Sequence, residues 1–415
     1  MSSVEDPAST LPSSYNLEAS GGANQVRVRA YNERLVLSLV RRHGALSKAD
    51  IARRTGLSAQ TVSVIMRVLE KEGLLLRDEP VRGRVGQPST PMRLNADAVL
   101  SFGVKIGRRS ADLVLMDFVG TIRKQLHQTY AYPLPHEIIE FVTRGIRQIE
   151  GEMSAKERGN IAGIGIAAPF ELWSWAEEVG APDGAMEVWR GFDLQIEVGA
   201  RVSHPVYLQN DATSACGAEL VFGAGARYPD FVYMFIGSFI GGGIVLNSSI
   251  FVGRTGTAGA IGPLPVRDRH GETRQLLKIA SIFVLENLLR EHGIDPQPLW
   301  YSANDWIDFG PPLEIWIQDT AAALAQAIVA AASIIDFSAA VIDGGFPDWV
   351  RQRVVQATIK AAAELDLQGV VMPEIVEGSV GTQARAIGGA SLPIFARYLI
   401  DQNILFKEID NAEAH

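Results

Sequence analysis

LSKADIARRTGLSAQTVSVIMRVLEKEGLL, Leu46 to Leu75, is the stretch that decides how the rest of the chain is read. Apolar residues fall at helical spacing on both sides of a short break: Ile51 and Ala52 before it, Val62, Ile65, Met66 and Leu69 after it. The break is Thr55-Gly56-Leu57, where a glycine lets the backbone turn between two crossed helices. Ser47 and Ser58 stand where N-caps belong, because a serine hydroxyl accepts from the unpaired N–H groups of the first turn. The pattern predicts a helix-turn-helix with Ser58 to Arg67 as the recognition helix, its early exposed residues facing base edges.

The flanks fit that reading. Val26 to His43 carries Leu35, Val36, Leu39 and Val40 at helical spacing, a first helix to pack beneath the pair. Leu74 to Leu76 reads as a short strand. Val81 to Asn95, VRGRVGQPSTPMRLN, holds three arginines, two glycines, two prolines and no acid. Such a segment suits a β-turn or arm touching phosphate or the minor groove, so a winged helix-turn-helix is expected, with its wing near Arg82–Gln87. A plain basic linker is the alternative. Candidate base readers are Ser58, Gln60, Thr61 and Ser63; glutamine can pair bidentately with adenine. Candidate phosphate or minor-groove contacts are Arg53, Arg54, Arg67, Arg82 and Arg84.

Charge points the same way. The whole chain carries −9, but residues 25–93 hold fourteen basic against six acidic side chains, +8, and residues 1–24 hold three acids and no base, which leaves −14 for residues 94–415. A basic head on an acidic body attracts a phosphate backbone to one end only. At 415 residues, 47% hydrophobic and 20% charged, a soluble protein of two or three domains is expected. One cysteine, Cys216, excludes an intrachain disulfide and suits a reducing cytoplasm. Residues 1–24 lack the apolar core of a secretory signal and read as a disordered tail. The most apolar run, Ala321 to Ile335, is shorter than the roughly 20 residues a spanning helix needs, so it reads as a buried helix and no membrane partner is expected.

From Leu100 the pattern becomes alternating strands and helices. Ser101–Gly107, Asp112–Phe118 and Thr121–Tyr130, then a helix at Pro135–Gly151 and a strand at Ile161–Ala168, are echoed by Phe231–Gly237, Gly243–Leu246, Ile250–Gly253 and Ala339–Asp343. Two copies of a three-strand meander with helices predict an internally duplicated α/β body with a cleft between lobes. The domains are drawn at 25–95 for the winged helix-turn-helix, 96–230 for the first lobe and 231–415 for the second.

With these pieces in order, the chain from about Asn32 to Ala396 resembles the ROK family of repressors and sugar kinases. The resemblance rests on GRVGQPSTPMRLN after the head, GVKIG at Gly103–Gly107, GIGIAAPF at Gly163–Phe170 and QNDATSACGAE at Gln209–Glu219. GSFIGGGIVLN at Gly237–Asn247, GTAGAIGPLPV at Gly256–Val266 and IDGGF at Ile342–Phe346 complete it. It implies an actin-like, ribonuclease H-like sugar-kinase-type body and a homodimer or homotetramer. It also implies a transcriptional regulator, a repressor of sugar-metabolism genes, with a double-stranded DNA operator as partner and a sugar as effector; a regulator that instead binds an anionic metabolite through Lys105, Arg108 and Arg109 is a further alternative. The alternative is an ATP-dependent sugar kinase with a DNA-binding head.

The kinase parts depart from the family pattern. The first phosphate turn, D-x-G-G-T in the kinases, reads Lys105-Ile106-Gly107-Arg108-Arg109, and two adjacent arginines on a turn are expected to be solvated. The second, G-T-G-x-G-G-G, reads Gly237-Ser238-Phe239-Ile240-Gly241-Gly242-Gly243. The zinc segment aligns with Asp268 to Leu277, where no cysteine remains and His270 stands alone, so neither metal nor cofactor is expected. The E-x-G-H motif reads Ala260-Ile261-Gly262-Pro263. Asn210-Asp211 matches the N-D-A motif of the catalytic base. With no phosphate donor to serve, Asp211 is expected to cap the helix after it or to keep a ligand contact with Asn210, and the chain is expected not to be an enzyme. Trp173, Trp175 and Trp189 lie near the sugar-approaching segment and suit either stacking or packing.

Overall fold

The structure, a computed structural model, describes residues 21–80, 89–176, 180–301, 306–307 and 309–400. Residues 1–20 of the expected tail, and Arg82 and Arg84 of the expected wing, lie outside them, while residues 21–24, expected to be disordered, open the first helix.

The head opens with α1, Gly21–His43. Helices α2, Lys48–Thr55, and α3, Ala59–Lys71, follow with the caps read from sequence: the Ser47 and Ser58 hydroxyls accept from the Asp50 and Thr61 amides, and Gly56 turns the chain at φ 70°. Val62, Ile65, Met66 and Leu69 bury one face of α3 against Ile51 and the Val36, Leu37 and Val40 stripe of α1. Strands β1, Leu75–Arg77, and β2, Met92–Leu94, pair antiparallel, and Leu46 bridges to Met92. These strands flank residues 81–88 as the arms of a wing would.

The body holds two five-stranded sheets of one topology. The first comprises β3 (Leu100–Ile106), β4 (Ser110–Asp117), β5 (Ile122–Thr129), β6 (Ile161–Ala167) and β7 (Val206–Gln209), with α4 (Pro135–Gly151) packed on it. After β7 the chain enters α5, Asp211–Phe222. The second sheet comprises β8 (Phe231–Ile236), β9 (Ile240–Leu246), β10 (Ser249–Phe251), β13 (Ala339–Gly344) and β14 (Glu374–Glu377). Between them lie the hairpin β11 (Pro265–Arg267) and β12 (Thr273–Gln275), then α6 (Ile282–Glu291), α7 (Pro311–Ala332) and α8 (Asp348–Ala363). In each sheet a meander runs antiparallel and two further strands add in parallel, in the orders β5-β4-β3-β6-β7 and β10-β9-β8-β13-β14. The duplication expected from pattern is therefore real, although β7 and β14 were not foreseen. Helix α7, by length and composition able to cross a membrane, buries Leu313, Trp316, Leu324 and Ile328 in the second lobe's core.

One crossing modifies the lobe division drawn at residue 231. The last helix, α9 (Ala384–Tyr398), follows β14 but packs across the first sheet and along α5. Small residues permit this. A Cβ on Gly165 would lie 1.8 Å from the Gly389 carbonyl oxygen, and one on Gly388 would lie 1.9 Å from that of Ser214. By topology α5 and α9 are counterparts, each following the fifth strand of its sheet.

The head is also seated on the body through one continuous core. Val36 and Val40 of α1 share a cluster with Met116, Phe118, Ala390 and Ile394. Arg41 donates to the Phe118 carbonyl at 2.9 Å and lies 4.6 Å from the Phe222 ring centroid. Burial lowers its pKa to about 10, and Asp117 offsets part of that cost.

Candidate nucleic-acid interface and interlobe cleft

The buried stripe of α3 leaves Gln60, Val64 and Arg67 on the outward face, one turn apart, with Ser63 beside them. Gln60 and Arg67 are exposed, as expected of a base reader and a phosphate contact. Val64 is 50% exposed and was not among the residues singled out from sequence. Its signal was that it falls off the Val62–Ile65–Met66–Leu69 stripe. An exposed valine on a recognition helix suits a thymine methyl.

The serines and threonine of the set are tied to their own chain. Ser58 caps α3 and its hydroxyl lies 2.8 Å from that of Thr61, while Ser63 accepts from Lys48 Nζ at 3.1 Å. The last bond fixes Lys48, the first residue of α2, at the edge of the reading face. The exposed Arg53 pairs with the half-buried Asp50 at 3.0 Å. Arg54 meets His43 Nε2 at 3.3 Å. Burial, then Arg54 and Arg42, hold His43 below its usual pKa, so its neutral ring accepts that bond.

The body's cleft lies between the equivalent turns β3–β4 and β8–β9. A cavity of about 560 Å³ there is lined by Asn210, Asp211, Glu171, Phe239, Gly262 and Arg385 among others. Asn210 and Asp211 are thus both at the cavity wall. Asn210, not Asp211, is the N-cap of α5: its Oδ1 accepts from the Ala212 and Thr213 amides. Asp211 is the first residue inside the helix, freed from capping, and its Oδ2 lies 3.4 Å from Arg385 Nη1 at the start of α9.

A second cavity of about 250 Å³ adjoins the first through Gly107, Arg108, Ser238 and Arg385. Here the expectation of solvated arginines fails. Arg108 is 4% exposed, because the β3–β4 turn points into the space between lobes rather than to solvent. Arg108 and Arg109 each lie 3.8 Å from the buried Glu286 carboxylate of α6, on the opposite lobe. Phe239, at a kinase glycine, packs edge-to-face on Phe283 at 5.3 Å, and the Arg108 guanidinium sits 5.9 Å from each ring. Lys105 Nζ reaches Ser110 Oγ at 2.9 Å and Asp112 Oδ2 at 3.1 Å. Burial lowers the Lys105 pKa and Asp112 pulls it back. Burial would raise Asp112, yet Lys105 and His127, the latter at 2.6 Å, hold its carboxyl well below the usual range.

The segment aligned with a zinc loop folds as the β11–β12 turn, with Asp268 Oδ1 accepting from the His270 and Glu272 amides. Among the described residues no group of three or more His, Cys, Asp or Glu side chains converges as metal ligands. Trp189 is core: it is buried and its indole donates to the Pro133 carbonyl. Trp173 is partly buried beneath the Arg190 guanidinium, and the side chain of Trp175 lies outside the described residues.

Comparison with known proteins agrees with this geometry. Residues 101–276 match the profile of the ROK family, and residues 29–75 match a profile described as winged helix-turn-helix DNA-binding. The chain is 26% identical over 244 residues to the xylose repressor of Bacillus subtilis, 59% of this chain and 62% of that protein. It therefore aligns with under two thirds of that relative's length. Among solved structures, a ROK family transcriptional regulator described as a homologue of the E. coli MLC protein superposes with a TM-score of 0.63 at 18% identity, covering 92% of this chain and 99% of the other. A ROK family glucokinase from Streptomyces griseus, solved with glucose and AMPPNP, superposes with a TM-score of 0.53 at 20% identity over 71% of this chain and 98% of that one. At these identities both show shared fold alone. Residues 101–276 of the body thus carry a ROK family domain, and an N-terminal winged helix-turn-helix is seated upon the body.

Proposed function

We propose that this protein is a cytoplasmic DNA-binding transcriptional repressor of sugar-metabolism genes. Its body serves as an oligomerising, ligand-responsive carrier rather than as a kinase. The observation that carries the reading is the outward face of α3: Gln60, Ser63, Val64 and Arg67 stand on a helix whose start is fixed by Ser58 and whose back is fully packed. The name of the Bacillus subtilis relative supports repression of a sugar operon. In a homodimer or homotetramer, two such heads would address half-sites about 34 Å apart, one helical turn, or a multiple of it.

The cleft supports the loss of catalysis. The position of the metal-proximal acid is Lys105, bonded to Asp112; the phosphate turn carries Arg108; and Phe239 fills a glycine position. Helices α5 and α9 offer the route from cleft to head. Both begin at the cleft, at Asp211 and Arg385, and both end beneath the head. There Phe222 lies on Arg41, and Tyr398 meets Phe118 edge-to-face at 5.6 Å. A ligand that binds unequally to two settings of this helix pair would shift the heads.

The test is a selection of DNA fragments bound by the full chain. An enriched motif with paired half-sites is expected, and random recovery would sink the reading. The kinase alternative draws on Asp211 at the cavity wall. ATP-dependent phosphorylation of a hexose, abolished by Asp211→Asn, would establish it instead.

A further inference from the structure

Where the head meets the body there is a further cavity, remote from the cleft. Its volume is about 80 Å³, and it lies at the far ends of α5 and α9, closed by α1 of the head and by the β9–β10 turn of the second lobe. Leu220, Ile250, Phe395 and Leu399 form its apolar wall. Its polar wall is Ser38, Arg41, Arg42, Ser248 and Ser249. Ser38 Oγ accepts from the Ile400 amide at 3.0 Å, which leaves the hydroxyl proton to donate. Each of these five side chains can donate a hydrogen bond, so the wall suits a ligand that accepts.

Arg41 is the unusual member. Its Nη1 donates to the Phe118 carbonyl and its guanidinium lies on the Phe222 ring, yet Nε and Nη2 are sealed from water with no hydrogen-bond partner among the described residues. Asp117, which acts on it from a distance, is committed elsewhere: Oδ1 accepts from the Val119 and Thr121 amides and Oδ2 from Arg123 Nε at 2.7 Å. Guanidinium donors buried without partners are costly, so the head is seated in a state that a suitable acceptor would relieve. The turn opposite is an independent signal. Asn247 and Ser248 hold left-handed φ of 52° and 59°; asparagine tolerates that backbone, but at Ser248 glycine would be easier. The Asn247 amide donates to Asp230 Oδ1 and the Ser248 amide to the Pro229 carbonyl, which hold the turn with Ser248 and Ser249 against the cavity. A serine kept at such a backbone position points to a use for its hydroxyl.

We propose that this seam between head and body is a binding site for a small organic acid. The carboxylate takes Arg41, with Ser38 and Ser248 as further donors, and a short branched or aromatic body lies against Phe395 and Leu399. Because Nε and Nη2 are sealed while the head is seated, the carboxylate reaches them only as α1 lifts from Phe222. The acid therefore binds the lifted head more tightly than the seated one and shifts the head toward lifting. The site stands without the regulator reading above; any effect on DNA rests on it.

The test is calorimetry of the full chain with sodium benzoate and sodium isobutyrate, against benzamide, isobutyramide and sodium chloride at matched ionic strength, with hydrogen exchange followed along α1. One of the two acids is expected to bind about ten-fold or more tightly than its amide, the worth of a charged hydrogen bond, and to speed exchange at residues 36–42. Arg41→Met should weaken that acid about ten-fold, and Arg41→Lys should restore part of the loss. Ser248→Gly, at a backbone that glycine adopts freely, should weaken it about three-fold with the fold intact, and gives the reading if the Arg41 variants do not fold. No binding beyond the salt control, an amide that binds as well as its acid, or affinity undiminished in the folded variants would overturn the site. Unchanged or slower exchange along α1 with acid bound would overturn the lifting. DNA selection by the same preparation separates the two claims. Motif enrichment without acid binding removes only the site, and acid binding without enrichment removes only the regulator reading.

Discussion

The reading face of the head and the cleft of the body are both lined with arginine, and they use it in opposite ways. On the head, Arg53, Arg54 and Arg67 are exposed, and Arg53 pairs with its own neighbour in the helix. Such pairs contribute little to stability, about 0.2–1 kcal/mol, so these side chains are available to a partner. In the cleft, Arg108 is buried and Arg385 partly buried between lobes, and both face carboxylates from distant parts of the chain. A charge there is costly to hold and costly to strip of its partner. A surface for DNA can therefore be built from local sequence, whereas a cleft of this kind is an agreement among segments far apart in the chain.

The sharpest way to break the contrast is Asp112→Ala. It leaves Lys105 buried without its carboxylate and should cost about 3 kcal/mol in urea unfolding, the low end for a buried pair because Asp112 is 15% exposed. A cost below about 1 kcal/mol would mean that the cleft behaves as a solvated surface.

A pH profile probes the second lobe. Burial, then Glu219, raises the Asp343 pKa to about 6, above the ordinary 3.8. The folded protein then holds a proton that the unfolded chain has released, so this group's stabilisation is full below about pH 4 and lost as pH rises through 6. The change is roughly 2–3 kcal/mol at 1.36 kcal/mol per unit. Asp112, held low, acts oppositely: its stabilisation is present above the ordinary value of 3.8 and is lost as the pH falls below it. Asp343→Asn should flatten the decline between pH 4.5 and 6.5; an unchanged slope would assign it to other groups.

The head predicts smaller effects on folding and larger ones on binding. Gln60→Ala should relax preference at one base position by about 1–3 kcal/mol, read as a flattened column in a selected motif. Arg67→Ala should weaken all sequences alike and lower the salt slope by about 0.9. An unaltered motif and slope would move the interface off α3. Ser58→Ala should cost only about 1 kcal/mol of stability, the worth of one cap, measured by chemical denaturation of the head's signal.

Much of the head was legible because its determinants are neighbours. The Ser47 and Ser58 hydroxyls accept from amides three residues on, the Gly56 amide donates to the Ala52 carbonyl four residues back, and the structure places each as read. The duplicated sheets were legible from their central strands, which are apolar on both faces. Their fifth strands, VYLQ and EIVE, are four residues long and only partly buried, so they left no periodic trace. In the cleft, Arg385 had one faint signal: it is an arginine entering the otherwise small and apolar ARAIGGASLPIF. The choice of Asn210 over Asp211 as cap was invisible, since either residue type can cap; the fold decided it by directing Asp211 at Arg385.

The sequence by itself determined the helix-turn-helix, its caps and turn, the duplicated α/β body and the family resemblance, because these depend on periodicity and on contacts a few residues long. Only the tertiary structure decided that Arg108 is buried, that Arg108 and Arg109 face Glu286 across the lobes, that Arg385 meets Asp211, and that α5 and α9 run together from cleft to head. The reason is physical: a charge's environment is set by whichever segments fold around it, and along the chain those segments are far apart.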